Sequence, residues 1–188
     1  MINEKRNKIK KRLLQCAVGL LPLVAVLAGG IGCADKIIFQ PPESRADFDQ
    51  TQLDLIDIPQ SDGVKLSIYY QPAQLGKPTI LYSHGNAEDL SHLVNFLQYC
   101  WGRSGYGIAA YDYEGYGRSG GTPSERSVYR DVEAMWRYLT VERKISPDEI
   151  IIYGRSVGSG PATYLASRER ALGLILEAPF SSAFEVVN

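Results

Sequence analysis

Four short apolar runs govern what this chain can fold into: "TILYS" (Thr79–Ser83), "YGIAAYDY" (Tyr106–Tyr113), "EIIIYG" (Glu149–Gly154) and "ALGLILEAPF" (Ala171–Phe180). A half-exposed strand alternates apolar and polar side chains with period two. Thr79–Ser83 and Tyr106–Tyr113 are too continuous for that and read as strands buried on both faces, and the other two runs read as further strands. Between them the period is helical. Leu90, Leu93, Val94, Leu97 and Trp101 share one helix face before Gly102 or Gly105 ends the run. Val128, Val132, Met135, Trp136 and Leu139 mark a second helix over Ser127–Arg143, and Pro147 and Asp148 break it from the next strand. A third helix covers Gly158–Arg168. Strands alternating with helices predict a mainly parallel sheet covered on both faces. A hairpin precedes it. Leu53, Leu55 and Ile58 are expected on one face, Asp62-Gly63 makes the turn, and Val64, Leu66, Ile68 and Tyr70 alternate with polar residues.

The first 33 residues read as a targeting segment outside this fold. Six basic side chains (Lys5, Arg6, Lys8, Lys10, Lys11, Arg12) precede the uncharged stretch Leu13–Cys33. Its length suits a signal sequence or a single span. Small residues gather at Ala28, Gly29, Gly30 and Gly32 before Cys33. The ending "GIGC" resembles a bacterial lipoprotein signal, with Cys33 as the lipid attachment point, although Gly30 stands where leucine is usual. Lipidation, an uncleaved anchor and ordinary cleavage all stay open. Basic flanks remain cytoplasmic, so an uncleaved segment puts the domain outside, at the membrane. Residues 34–50 read as an extended linker around Pro41 and Pro42. Residues 51–188 are the domain.

Charge excludes one class. Of 20 basic and 21 acidic residues, six and one lie in residues 1–32. The remainder holds 14 against 20, a net of −6, a poor surface for a phosphate backbone. No nucleic-acid partner is expected. Cys16, Cys33 and Cys100 show no zinc or disulfide spacing, and neither a metal nor a cofactor is implied. Cys100 reads as an inert helix residue.

The chemistry gathers in "IIIYGRSVGSGPATYLASR", Ile150–Arg168. Gly154 and Gly158 flank Ser156 in a G-x-S-x-G pattern between a strand and a helix. A serine on so tight a turn crowds its neighbours, and glycine on each side relieves the crowding. The helix start then turns free N–H groups toward the reacting centre. Ser159 is a poor rival nucleophile, because it lies inside the first helical turn. "YSHGNAED" follows an earlier buried strand, and His84 and Gly85 shape its exit turn. An acyl-transfer site needs two backbone donors for its oxyanion, and the amides of Val157 and Asn86 are the candidates.

These blocks, "LYSHGNAEDL", "YDYEGYGRSGGTPSE" and "IIYGRSVGSGPATYLASR" with "LILEAPFSS" behind, resemble the α/β-hydrolase superfamily over about Asp35–Asn188. More narrowly, they resemble the subgroup of membrane-attached depalmitoylases and serine aminopeptidase-like hydrolases. The resemblance implies Ser156 as nucleophile, the Asn86 and Val157 amides as oxyanion hole, and a structural role for Asp112 and the "EGYGRSGG" loop. An acid leaving a strand more often caps a turn, which agrees for Asp112.

A serine hydroxyl also needs a base and a group to orient it. In this fold the order is Ser, then Asp or Glu, then His. No histidine follows Ser156. His84 belongs to the turn, His92 to a helix surface, and Glu177 reads as a strand-terminal acid. The superfamily core has further strands and helices, so the sheet is expected to be incomplete at its C-terminal side. The expectation is a C-terminally truncated hydrolase, with "LGLILEAPF" an exposed edge prone to pairing or aggregation. Function is expected to be hydrolysis of acyl esters or thioesters at a membrane through an acyl-serine, impaired here by the missing acid and base. An amide-cleaving aminopeptidase-like enzyme and a non-catalytic membrane-bound interaction domain are the alternatives. A nucleotide-binding module is disfavoured, since "EGYGRSGG" lacks the lysine of a phosphate-binding loop.

Overall fold

The structure, a computed structural model, describes residues 35–43, 53–60 and 63–180. The leader with Cys33, most of the predicted linker, Asp62 of the hairpin turn and residues 181–188 lie outside the described residues, as do the side chains of Cys100 and Trp101. Among the described residues no helix is long and apolar enough to cross a membrane. Two compact units divide the chain, Met1–Lys36 and Ile37–Asn188, and the second carries the sheet.

Six strands form it: β1 (Leu55–Pro59), β2 (Lys65–Gln71), β3 (Thr79–Ser83), β4 (Gly107–Tyr111), β5 (Ile150–Arg155) and β6 (Gly173–Glu177). Their order is β1-β2-β4-β3-β5-β6. β1 and β2 are the antiparallel hairpin, and β2 runs antiparallel to β4. The other pairs are parallel. Three helices connect them: α1 (Leu90–Phe96), α2 (Glu125–Arg137) and α3 (Ser159–Ala166). α1 runs on into a π-helical turn over Leu97–Trp101, and α2 into another over Tyr138–Glu142.

Every buried strand contributes to two cores. Leu66, Ile68, Leu81, Ala109, Tyr111, Ile150 and Ile152 face one side, against Val128, Val132 and Met135 of α2 and Ala162 and Leu165 of α3. Tyr69, Ile80, Tyr82, Ile108 and Ala110 face the other, against Leu90, Leu93 and Val94 of α1. Period-two alternation within continuous apolar runs is what covering both faces requires. The hairpin corrects one expectation. Leu53 and Leu55 belong with α1, whereas Ile56 and Ile58 belong with α2, so Ile58 does not share the face of Leu53. An odd separation along a strand always reverses the face.

The chain leaves β3, crosses to β4 on one side, then returns over the sheet to β5 on the other. β3 and β5 are neighbours, and the strand order reverses between them. Open α/β sheets bind ligands in the crevice beyond the strand C-termini at such a point. Ser83 pairs with Gly154 there, which sets His84-Gly85 beside Arg155-Ser156. β6 lies at the opposite edge from the hairpin and is exposed along its whole length. The segment predicted as extended linker begins with a helical turn over 35–38, and Phe39 is buried in the α2-side core.

Candidate active site

β5 ends at Arg155, and Ser156 opens a single tight turn, Ser156–Gly158, that leads straight into α3. Ser156 holds φ at +51°, a left-handed conformation that side chains other than glycine rarely adopt. Its flanks explain why the pattern demands glycine. A Cβ at Gly154 would stand on the Gly158 carbonyl and 2.6 Å from Ala162 Cβ. One at Gly158 would strike the carbonyl oxygens of Ser83 and His84. The elbow is thus pressed against the end of β3, and Ser156 remains partly exposed above it. Val157 is buried at the first helical turn, where N–H groups lack intrahelical acceptors. Ser159 is buried and its Oγ donates to the Ser156 carbonyl at 2.6 Å, a bond back along the turn that occupies the rival hydroxyl.

The exit loop of β3 lies against this elbow. A Cβ at Gly85 would be 3.8 Å from Ser156 Cβ. His84 is fully buried, between the rings of Tyr113 and Tyr116 at 4.3 and 5.6 Å. Its Nδ1 is 2.8 Å from the Gly85 carbonyl, an arrangement in which the ring donates. Burial pulls its pKa down to about 4, so it is neutral at neutral pH. Tyr113 Oη donates to the His84 carbonyl at 2.8 Å. His84 therefore orders the turn. His92 is paired with Asp89 at 2.7 Å at the start of α1.

Three further features went unnoticed in the sequence. Glu88 Oε2 accepts from the Gly85 N–H at 3.1 Å, and its other oxygen pairs with Arg155, the residue just before Ser156. Arg155 also lies 3.5 Å from Glu177 at the end of β6, and Tyr153 Oη donates to Glu177 at 2.6 Å. The Asn86 carboxamide is held by Tyr116 and by the backbone of Ile38 and Gln40. No local pattern announces contacts between residues this far apart.

The Gly-rich loop after β4 acts as a buttress. Asp112 is buried and accepts from the Leu90 N–H at 2.7 Å, capping α1 from across the sheet, and from the Arg118 N–H at 3.3 Å. Burial first, then the nearby Asp89 charge, push its pKa up to about 7. Asp131 of α2 accepts from Gln60 Nε2 and the Glu114 N–H, and burial raises it to about 7 as well.

A strained serine on a strand-to-helix turn, beside a backbone loop at the reversal point of the sheet, defines an α/β-hydrolase. The family model described as serine aminopeptidase, S33, matches residues 76–185, and the chain belongs to that family of hydrolases. Alpha/beta hydrolase domain-containing protein 17C of Mus musculus is 37% identical over 148 residues, covering 76% of this chain and 46% of that protein. The human 17B protein is 42% identical over 110 residues, covering 58% and 38%. The chain thus spans about half the length, or less, of these curated relatives. Among solved structures, an α/β-hydrolase from Vibrio vulnificus superposes with a TM-score of 0.69 at 23% identity, covering 84% of this chain and 60% of that one. An esterase from Pyrococcus furiosus superposes at 0.57 and 20%, covering 76% and 56%. At such identities these two show the fold alone.

Proposed function

We propose that Ser156 is the nucleophile of an esterase or thioesterase, with the Asn86 and Val157 amides as its oxyanion hole. The observation that carries the reading is the left-handed Ser156 on a turn that only glycine flanks permit. Backbone strain of this kind persists where the surrounding structure over-determines it, and it collects at functional sites. The hydroxyl oxygen attacks the acyl carbon, its proton passes to a base, and the alcohol or thiol leaves protonated. Water then cleaves the acyl-serine by the reverse proton path.

His84 is set aside as the base because it is fully buried and its Nδ1 is engaged with the Gly85 carbonyl. Glu177 is engaged with Tyr153 and Arg155. In this fold the acid and the histidine follow the nucleophile in chain order. Substrate acyl chains on proteins or lipids fit a membrane-tethered enzyme, and the tether rests on the sequence of residues 1–33, with Cys33 or an uncleaved span as the attachment.

Protein made from its whole open reading frame, given a fluorophosphonate probe and p-nitrophenyl butyrate, tests this. Labelling and turnover should both vanish in Ser156→Ala. Equal labelling of that variant dismisses the assignment. The aminopeptidase description of the family favours amide cleavage as a second reading, and faster turnover of an aminoacyl p-nitroanilide than of the matching ester would establish it. Exposure of β6, with Leu174, Ile175 and Leu176 open to solvent, favours strand pairing between chains as a third activity. A monomer at all concentrations in sedimentation would end that idea.

A further inference from the structure

We infer that the N-terminal strap Ile37–Gln40 is a positioning element of the oxyanion loop, acting through the Asn86 side chain. This rests on the hydrolase reading above for its catalytic consequence, though not for its structural one. Asn86 lies 46 residues from Gln40, yet the two are joined directly. Its Oδ1 accepts from the Gln40 N–H at 2.9 Å and from Tyr116 Oη at 2.8 Å. Its Nδ2 donates to the Ile38 carbonyl at 2.6 Å. Two donors on one end and an acceptor on the other fix the orientation of the amide and leave it no other rotamer with the same bonds. Gln40 Nε2 closes the strap on itself by donating to the Ile37 carbonyl at 3.1 Å. Phe39, 7% exposed, anchors the strap in the α2-side core between those two polar attachments.

The loop needs such an anchor. Ala87, next to Asn86, holds φ at +53°, a conformation an alanine leaves when nothing opposes it. Glu88 and Arg155 hold the loop on the Gly85 side, and the strap holds it on the Asn86 side. An oxyanion donor works only within roughly 2.7–3.1 Å of the developing charge. Displacement by about 1 Å can cost on the order of 100-fold in rate. The strap therefore sets the position of the Asn86 N–H, the atom assigned to transition-state binding, while touching no substrate.

The test uses whole-reading-frame protein and three changes. Asn86→Ala removes the attachment but keeps the backbone N–H. Phe39→Ala loosens the anchor, and Phe39→Leu refills it. Two readouts are taken below the melting temperature of each variant. In hydrogen exchange, amides of residues 84–89 should exchange roughly tenfold faster in Asn86→Ala and Phe39→Ala, with β3 and β5 still protected and Phe39→Leu near wild type. In turnover of p-nitrophenyl butyrate, kcat should fall about tenfold or more in the same two variants with KM within about twofold, and Phe39→Leu should restore most of it. Unchanged exchange in residues 84–89 overturns the strap whatever the turnover shows. Accelerated exchange with kcat unchanged refutes its catalytic role. Turnover that survives Ser156→Ala removes the hydrolase reading instead, and leaves the exchange result to judge the strap alone.

Discussion

Replacing Ser156 with glycine should make the protein more stable. Ser156 sits at φ +51°, where an L residue costs roughly 1–2 kcal/mol relative to the right-handed region. Glycine escapes that cost but gives back about 0.5–1 kcal/mol through its freedom in the unfolded chain. The difference leaves Ser156→Gly more stable by about 0.5–1 kcal/mol. Ser156→Ala is the matched control. It removes the same hydroxyl but keeps the Cβ and therefore the strain. The bond from Ser159 Oγ to the carbonyl of residue 156 survives in both. For a chain of this size, 1 kcal/mol moves the melting temperature by roughly 2–4 °C. Thermal melts followed by circular dichroism should place the glycine variant about 1–4 °C above the alanine variant, with both inactive. A glycine variant that melts at or below the alanine one would show that the elbow stores no strain, and the main argument for Ser156 would go with it.

Gly158→Ala should lower the unfolding free energy by about 1–3 kcal/mol or more, read from urea melts, since the new methyl meets two backbone carbonyls that cannot move aside; an unchanged urea midpoint contradicts the close approach of elbow and β3. Burial raises the Asp131 pKa to about 7, above its ordinary 3.8, so the folded protein holds this proton more tightly than the unfolded chain. That contribution is complete at low pH and is lost as pH rises toward 7, so denaturant midpoints should fall over that window and Asp131→Asn should flatten the fall; a steeper fall in the variant refutes it. Arg155→Ala and Glu88→Ala should each slow acylation, and the double variant should be no worse than the poorer single one, because both release the same Gly85 N–H. Their coupling in stability should stay below about 1 kcal/mol, since Arg155 is 40% exposed. Additive losses in acylation would show that they do not act as one clamp.

Much of the fold was legible because buried parallel strands must be apolar on both faces, and Thr79–Ser83 and Gly107–Tyr111 could be nothing else. Boundaries were less so. Asp112 and Tyr113 look like the end of a strand but leave the ladder, one to cap α1 and the other to hold the His84 carbonyl. The start of α2 is capped by Ser124 with Ser127, where glutamate or glutamine usually completes the box. Ser156 was legible because its constraint is local: glycines two residues away on either side. The supports of the oxyanion loop were not. Glu88 is 67 residues from Arg155 and Asn86 is 48 from Ile38. Such pairings depend on the reversal of strand order between β3 and β5 and on where the strap returns. Periodicity carries no information about either.

The central claim is that Ser156 attacks and that the amides of Asn86 and Val157 receive the resulting charge. A crystal structure of the whole-reading-frame protein after reaction with a fluorophosphonate addresses it most directly. The account predicts phosphorus bonded to Ser156 Oγ, with one phosphoryl oxygen about 2.7–3.1 Å from both amide nitrogens. A phosphoryl oxygen turned to solvent, or an adduct on any other residue, would contradict it.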